Sequence, residues 1–183
     1  QFGLLLLAST AGAIPGAQLA GRVVHMYASL IVVRISGVLL PLGVAIMGSA
    51  SNVEVLALGL FIMGFSVPFM DVALNGQAVE IERNTNGRWM SSFHGLWSVG
   101  AFAATLLGGA ISHVLTPREN LYLISAITLV AYFIATYFLL PPDLDGHLGE
   151  EGTITESKVP LFGKQSLLLW ALGLGLICSL IPE

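Results

Sequence analysis

The sequence predicts an all-α polytopic membrane protein. Hydrophobic residues make up 55% of the 183 residues and charged residues only 10%, with a mean hydropathy of +0.85, whereas a soluble domain carries about 25% charged residues. A soluble bundle would also show charged stripes at helical spacing. The chain instead has six apolar runs near the roughly 20 residues that cross a bilayer as a helix, the first and last truncated or borderline. They cover residues 1–19, 31–48, 55–79, 89–115, 121–140 and 166–182.

Positive charges alternate between successive connections, and this alternation orients the runs. Six of the seven Lys and Arg residues lie in the first, third and fifth connections, counting Arg34 at the entrance of the second run, whereas Arg118 lies in the fourth. Cytoplasmic loops are enriched in Lys and Arg, so we expect these connections to be cytoplasmic. The first run then enters from outside, which implies a further helix before Gln1 if the N-terminus is cytoplasmic.

The fifth connection, residues 141–164, is predicted to be an acidic cytoplasmic linker. Pro141 and Pro142 stop the preceding helix, and the segment lacks an apolar face. It carries Asp143, Asp145, Glu150, Glu151 and Glu156 among Gly, Ser and Thr. An acidic binding tail is the alternative. The linker divides the chain into a helical unit at 1–140 and the start of another unit at 165–183.

The third run carries a carboxylate near its middle, where burying a charge in the hydrocarbon core costs free energy. Asp71 lies nine residues from Glu80 at the helix end, about 13 Å by helical rise. An Asp at the centre of a membrane helix costs roughly 2.5–3.5 kcal/mol on insertion scales, and such residues are functional by default. At 100° per residue Asn75 shares the face of Asp71, together with Gly64 and Ala78. Pro68 cannot donate to the carbonyl of Gly64, so we expect a kink just before Asp71.

The fourth run has its own small and polar stripe. His94 and Ser98 share one side of the predicted helix, and Trp97 flanks them. Such residues either line a wet cavity or let helices pack closely through small side chains and interhelical hydrogen bonds. Trp97 lies deeper than an aromatic belt, which is typical of either a ring-stacking residue or a core residue. We therefore take Asn75, His94, Trp97 and Ser98 as candidate cavity residues around Asp71.

Two adjacent stretches resemble a known family. Residues 71–80 (DVALNGQAVE) followed by 88–100 (RWMSSFHGLWSVG) are similar to helices four and five of fucose-permease-like members of the major facilitator superfamily, in a bacterial branch. Residues 16–27 resemble the cytoplasmic loop between helices two and three of that superfamily, with Arg22 as its basic residue. Gly21 departs from the acidic residue expected before Arg22, and Ala28 replaces an expected glycine.

The resemblance implies a domain map and a mechanism. Residues 1–140 would be helices two to six of an N-terminal transmembrane half, 141–164 the linker, and 165–183 helix seven, the start of the C-terminal half. The family implies alternating access around a cavity near the bilayer midplane, in a multi-pass protein of the bacterial inner (plasma) membrane. An acidic residue of helix four couples transport to protons in fucose-permease-like proteins, which assigns proton coupling to Asp71. A carboxyl group buried in low dielectric is protonated more readily than in water.

The residues together with the resemblance predict a secondary transporter that moves a small polar solute, with sugars as one candidate class, and protons as the second partner. Symport, antiport and uniport stay open, as does the oligomeric state. A non-transporting receptor or assembly subunit is one alternative, and a membrane enzyme is weaker because one His and one carboxylate on different helices form no catalytic motif. Asp71 could also be a structural partner of Arg34. The sequence indicates no cofactor, no metal site and no nucleic-acid binding, and the single Cys178 excludes an internal disulfide.

Overall fold

Five α-helices make up the part of the chain that the structure describes. The computed structural model describes residues 2–144, which belong to one unit, Gln1–Leu148. The all-α prediction is confirmed for these residues, and α2, α3, α4 and α5 are each long and apolar enough to cross a membrane. The predicted helix at 165–183 and the linker beyond Leu144 lie outside the described residues. The helices are α1 (Phe2–Tyr27), α2 (Ser29–Ser49), α3 (Val53–Thr85), α4 (Met90–Ile111) and α5 (Pro117–Ala135), followed by a 3₁₀ turn at Pro142–Leu144.

The helix α3 is the centre of the bundle. It packs extensively against α1 and α2, α2 also packs against α5, and α4 makes only a small contact with α3. The 33 residues of α3 extend about 50 Å, more than the roughly 30 Å of a hydrocarbon core. The buried cluster joins α1, α2 and α3 and consists of Ala20, Val32, Val33, Phe69 and Ala73.

Glycines let α3 approach its neighbours closely. A Cβ on Gly64 would overlap the backbone oxygen of Ser9, and one on Gly12 would overlap the backbone of Phe61. On the other side, a Cβ on Gly43 would lie 3.0 Å from the backbone nitrogen of Met63. Small residues at such crossings are the common means of packing membrane helices, because lipid gives no hydrophobic drive for association.

A buried glutamine joins three segments at the end of the bundle where α2 begins and α3 ends. The Gln77 side chain is 2% exposed, and its Nε2 donates to Ser29 Oγ (2.8 Å) and to the Leu140 carbonyl (3.2 Å). The Leu140 N–H donates back to Gln77 Oε1 (2.8 Å). One amide thus satisfies both backbone groups of a residue that follows α5, where the loss of helical bonding would leave them unpaired.

The first connection is where the structure corrects the sequence interpretation. Residues 16–27, including Arg22, were expected to form a cytoplasmic loop, but α1 continues through them as helix to Tyr27. Arg22 is an exposed helical residue. The Ala28 N–H still bonds the Val24 carbonyl (3.0 Å), and the chain then reverses at Ala28 with φ 78°. A positive φ is the conformation that glycine adopts at least cost, which explains why the resemblance leads one to expect glycine there.

Helix α5 also begins and ends earlier than expected. It starts at Pro117, inside the predicted connection 116–120, and ends at Ala135 rather than near Leu140. Thr116 caps it: the Glu119 N–H donates to Thr116 Oγ1, and the Thr116 N–H donates to Glu119 Oε2 (2.9 Å). This reciprocal capping box satisfies two amide groups at the helix start, and hydropathy alone does not reveal it.

Replacing Gly64 with alanine should weaken the bundle. The added methyl group would overlap the α1 backbone, which cannot rotate out of the way as a side chain can. We therefore expect a loss of about 1–3 kcal/mol in the free energy of unfolding. Gly76→Ala on the same helix is the matched control, because nothing lies within 4 Å of its Cβ position, and alanine is the better helix former by about 0.8–1 kcal/mol. Thermal unfolding of the full-length protein in detergent measures both. Equal melting temperatures for the two variants would contradict this packing.

Gln77→Leu should also destabilise the protein. It leaves the Leu140 N–H and carbonyl without their partner, at a cost of about 1–3 kcal/mol, and should loosen the segment after α5. Gln18→Leu is the control, because Gln18 is an exposed glutamine on α1. Proteolysis near residue 140, read by mass spectrometry, should be faster in Gln77→Leu than in wild type and unchanged in Gln18→Leu. Unchanged cleavage in Gln77→Leu would show that the amide does not hold this segment.

Candidate functional site

A groove of about 420 Å³ opens between α3 and α4. Four of the five predicted cavity and coupling residues line it: Asp71 and Asn75 on α3, and His94 and Trp97 on α4. The remaining lining residues give the groove an apolar floor with one buried amide. They are Leu74, Gln77, Ala78, Ile81, Met90, Phe93 and Leu139.

Asp71 and Asn75 present adjacent polar groups on the α3 wall. They are one turn apart, about 6 Å along the helix. Asp71 is exposed and Asn75 half-buried, and within residues 2–144 the Asp71 carboxylate has no hydrogen-bond or ion-pair partner. A carboxylate that faces a water-filled cavity carries its charge at less cost than one in hydrocarbon.

The predicted polar face of α3 is open over only part of its length. Gly64 shares the face of Asp71 by helical rotation, yet it is buried against Ser9 of α1. Ala78, on the other side of Asp71, does line the groove. The face is therefore covered by α1 near Gly64 and open from Asp71 onward. Helix α3 is continuous through Pro68, and the kink stays a prediction.

The α4 wall supplies an imidazole and an indole. His94 and Trp97 are three residues apart and therefore neighbours on the helix surface. Both are exposed, Trp97 by 73%, so within the described residues neither is a packed core side chain. The indole offers a flat apolar face and one N–H donor, and the imidazole is able to donate and accept hydrogen bonds.

Ser98 is the one predicted cavity residue that the groove does not include. Its Oγ donates to the His94 carbonyl one turn earlier (3.0 Å), and Thr105 bonds the Ala101 carbonyl in the same way (2.8 Å). Hydroxyl groups that bond back to their own helix satisfy themselves without a partner elsewhere. Ser98 and Thr105 are thus satisfied by their own helix, whereas His94 and Trp97 line the groove.

The turn between α3 and α4 sets the position of the α4 wall. The Glu82 carboxylate accepts the Met90 N–H (2.8 Å), which caps α4 from the preceding helix. The Trp89 indole N–H donates to Thr85 Oγ1 (2.9 Å), and Asn86 ends α3 in the left-handed conformation with φ 51°. A cap across a turn, such as the one Glu82 makes, is not visible from hydropathy.

Arg34 is not the partner of Asp71. It lines a different groove, between α2 and α5, and the one ion pair within residues 2–144 joins Arg83 to Glu80 (2.8 Å). The structural pair considered from the sequence is therefore not formed in the described part of the chain.

Gln77 and Leu139 belong to the groove, although the sequence did not single them out as site residues. The Gln77 amide is occupied by Ser29 and Leu140. Their presence in the lining means that the segment after α5 forms part of the groove wall. No sequence signal pairs Gln77 with Leu140, which lies 63 residues later in the chain.

The arrangement suits a small ligand with both polar and apolar surface. Ligand sites are typically 300–1,000 Å³, mostly apolar, with a few convergent polar groups, and this groove matches on both counts. Among the described residues no group of three or more His, Cys, Asp or Glu side chains is placed to hold a metal ion.

Comparison with known proteins places the chain in a family. It matches the Major Facilitator Superfamily over residues 1–181. It is 36% identical over 130 residues to an uncharacterized transporter, y4wD, of Sinorhizobium fredii, with 70% of this chain and 34% of the relative aligned. It is 28% identical over 168 residues to the membrane protein MosC of Rhizobium meliloti, covering 92% of this chain and 41% of the relative.

A third relative is an uncharacterized MFS-type transporter of Yersinia pestis, 31% identical over 115 residues, with 63% of this chain and 29% of the relative aligned. The chain therefore spans well under half the length of these relatives. No solved structure matches the chain. The fucose-permease-like branch stays a prediction, but the match over residues 1–181 shows that this chain belongs to the major facilitator superfamily.

Proposed function

We propose that the full-length protein is a membrane transporter that moves a small polar solute through the groove between α3 and α4 by alternating access. Family membership and two relatives named as transporters support a transporter over an enzyme. The observation that carries the proposal is the convergence of Asp71, Asn75, His94 and Trp97 on one groove. Two long apolar helices that present polar groups to a shared groove are typical of a solute path.

Asp71 is the proposed proton-coupling group. Within residues 2–144 its carboxylate has no hydrogen-bond or ion-pair partner and lines the groove, so it is available to whatever enters there. When protonated it donates a hydrogen bond to the solute or to Asn75, and when ionised it needs water or a cation. Proton occupancy would then favour one access state over the other, as a ligand shifts a two-state equilibrium.

A polar ring is the proposed class of solute, with sugars as the leading example. The Trp97 face provides a stacking surface, and Asn75 and His94 provide donors and acceptors for hydroxyl groups. Leu74 and Leu139 supply apolar floor beneath. A receptor or assembly role stays as the second class, and it would use the groove for binding without transport.

The proposed setting is the bacterial plasma membrane, with residues 1–140 in the N-terminal half, 141–164 as the cytoplasmic linker and 165–183 as the start of the second half. In the described residues, Arg22, Arg34, Arg83 and Arg88 lie toward the end of the bundle where α1 and α3 end, and Arg118 lies at the opposite end, beside the α5 start. This asymmetry supports a cytoplasmic location for the first of these two ends.

Asp71→Asn should abolish uphill solute accumulation and leave exchange intact. A thermal-shift screen of polar metabolites against the full-length protein first identifies a solute. In proteoliposomes with an imposed pH gradient, the variant should lose nearly all accumulation, because the amide cannot carry a proton. Counterflow exchange needs no net proton movement, so it should persist.

Glu54→Gln is the matched control, a carboxylate on the same helix near its opposite end, and it should accumulate solute as the wild type does. Accumulation by Asp71→Asn at wild-type level would remove Asp71 from the coupling role. Loss of both accumulation and counterflow would make it a solute ligand instead.

A further inference from the structure

A second groove, of about 240 Å³, lies between α2 and α5 and carries Arg34, an arginine without a partner among residues 2–144. Arg34 and Val38 form the α2 wall, and the other wall is formed by Phe133 of α5 and by Tyr137, two residues beyond the end of α5. Gly37 lets α5 approach closely, since a Cβ there would lie 3.1 Å from Tyr132 Cβ. None of the residues that line this groove is acidic, and among residues 2–144 Arg34 forms no ion pair.

This groove faces away from α3. Around α2, Arg34 lies about 180° from Gly43 by helical rotation, and Gly43 is the residue packed against the α3 backbone. The Tyr132 hydroxyl is directed to Met70 Sδ of α3 (2.6 Å), so its ring closes the back of the groove. The groove is therefore separate from the one that holds Asp71.

Depth and surroundings place the groove at the edge of a bilayer leaflet. Arg34 is five residues into α2, about 7.5 Å from its start, within reach of the interface for a long side chain. Exposed apolar side chains continue the same faces deeper along both helices, among them Leu42 on α2 and Val130 on α5. In a membrane helix, exposed apolar surface of this kind contacts acyl chains.

The exposed Tyr137 adds an aromatic hydroxyl at the mouth of the groove. Its side chain is 86% exposed and stands beside Arg34 in the lining. A guanidinium pairs with phosphate oxygens through two parallel hydrogen bonds, and a phenol is able to donate a third. Basic pockets between membrane helices on the cytoplasmic side are where anionic lipid headgroups bind.

We propose that the α2–α5 groove binds one anionic phospholipid of the cytoplasmic leaflet. The phosphate pairs with Arg34, and one acyl chain lies along Val38 and Leu42. A free phosphate or phosphorylated metabolite offers the same anion, but it leaves the apolar wall below Arg34 unused. A zwitterionic lipid carries its own ammonium next to the phosphate, so it competes less well for the guanidinium.

Native mass spectrometry of the full-length protein tests this assignment. Detergent-purified protein is titrated with phosphatidylglycerol or phosphatidylcholine of identical acyl chains. The wild type should retain phosphatidylglycerol about fivefold more tightly through this one basic residue, and Arg34→Gln should remove that preference. Arg118→Gln is the control, an arginine at the opposite end of the bundle that lies over the Tyr122 ring (5.8 Å), and it should keep the preference.

A second variant covers the case in which Arg34→Gln does not fold. Val38→Trp fills the groove and leaves the charge, and it should lower phosphatidylglycerol retention as well. Wild-type lipid preference in either folded variant would overturn the proposal. Displacement of the lipid by millimolar glycerol phosphate would also overturn it, because the site would then recognise a soluble anion.

Discussion

The close crossing of α1 and α3 is the constraint on which the rest of the bundle depends. The α3 residues that contact α1 most closely are Phe61, Gly64 and Phe65. Farther along α3, Phe69 and Ala73 belong to the buried cluster. Positions 61, 65, 69 and 73 form an i, i+4 row, which winds around the helix by about 40° per step. Helix α1 therefore moves away from the Asp71 face toward the end of α3 at Thr85. The face that it covers near Gly64 is left open at Asp71 and Asn75, and the groove exists because of this crossing.

The groove has one firm wall and one weakly held wall. On the α3 side, Gln77 ties the helix to α2 and to the segment after α5 through buried hydrogen bonds. On the α4 side, the contact with α3 is small, and among the described residues no residue of α4 is buried. The position of α4 is set by the turn that Glu82 caps. Changes in groove width would therefore come from α4. Because Leu139 also lines the groove, any ligand there touches the segment that leads toward the linker.

Hydropathy and helical spacing were enough to predict the helices and most of the groove. Of the six predicted apolar runs, four correspond to helices, α2 to α5, that are long and apolar enough to cross a membrane. Asp71 with Asn75 and His94 with Trp97 were found because residues three or four apart share a helix face, and adjacent helices tend to be neighbours. Arg22 was placed wrongly, since a helix that continues past the apolar run has no hydropathy signal. Ser98 does not line the groove, because its hydroxyl bonds to its own helix, and residue spacing does not reveal such a bond.

The sequence could not predict the long-range hydrogen bonds, and the reason is physical. Gln77 bonds backbone groups of Leu140, and backbone groups are the same at every residue, so no side-chain pattern marks the partner. The close helix crossing at the glycines does leave a pattern in the sequence, because Gly12 and Gly16 form a small-xxx-small motif within an apolar helix. That spacing predicts a close helix contact, although not which helix supplies it.

The proposed transport path depends on a water-accessible groove that brings Asp71 and Asn75 within reach of a solute. Cysteine labelling tests it most directly, in full-length protein lacking other cysteines, in inside-out membrane vesicles treated with a membrane-impermeant maleimide. Asn75→Cys should react, and a solute found by thermal shift should slow the reaction, whereas Leu58→Cys, an exposed apolar position of the same helix, should stay unlabelled. Labelling of Asn75→Cys no faster than that of Leu58→Cys would contradict the account.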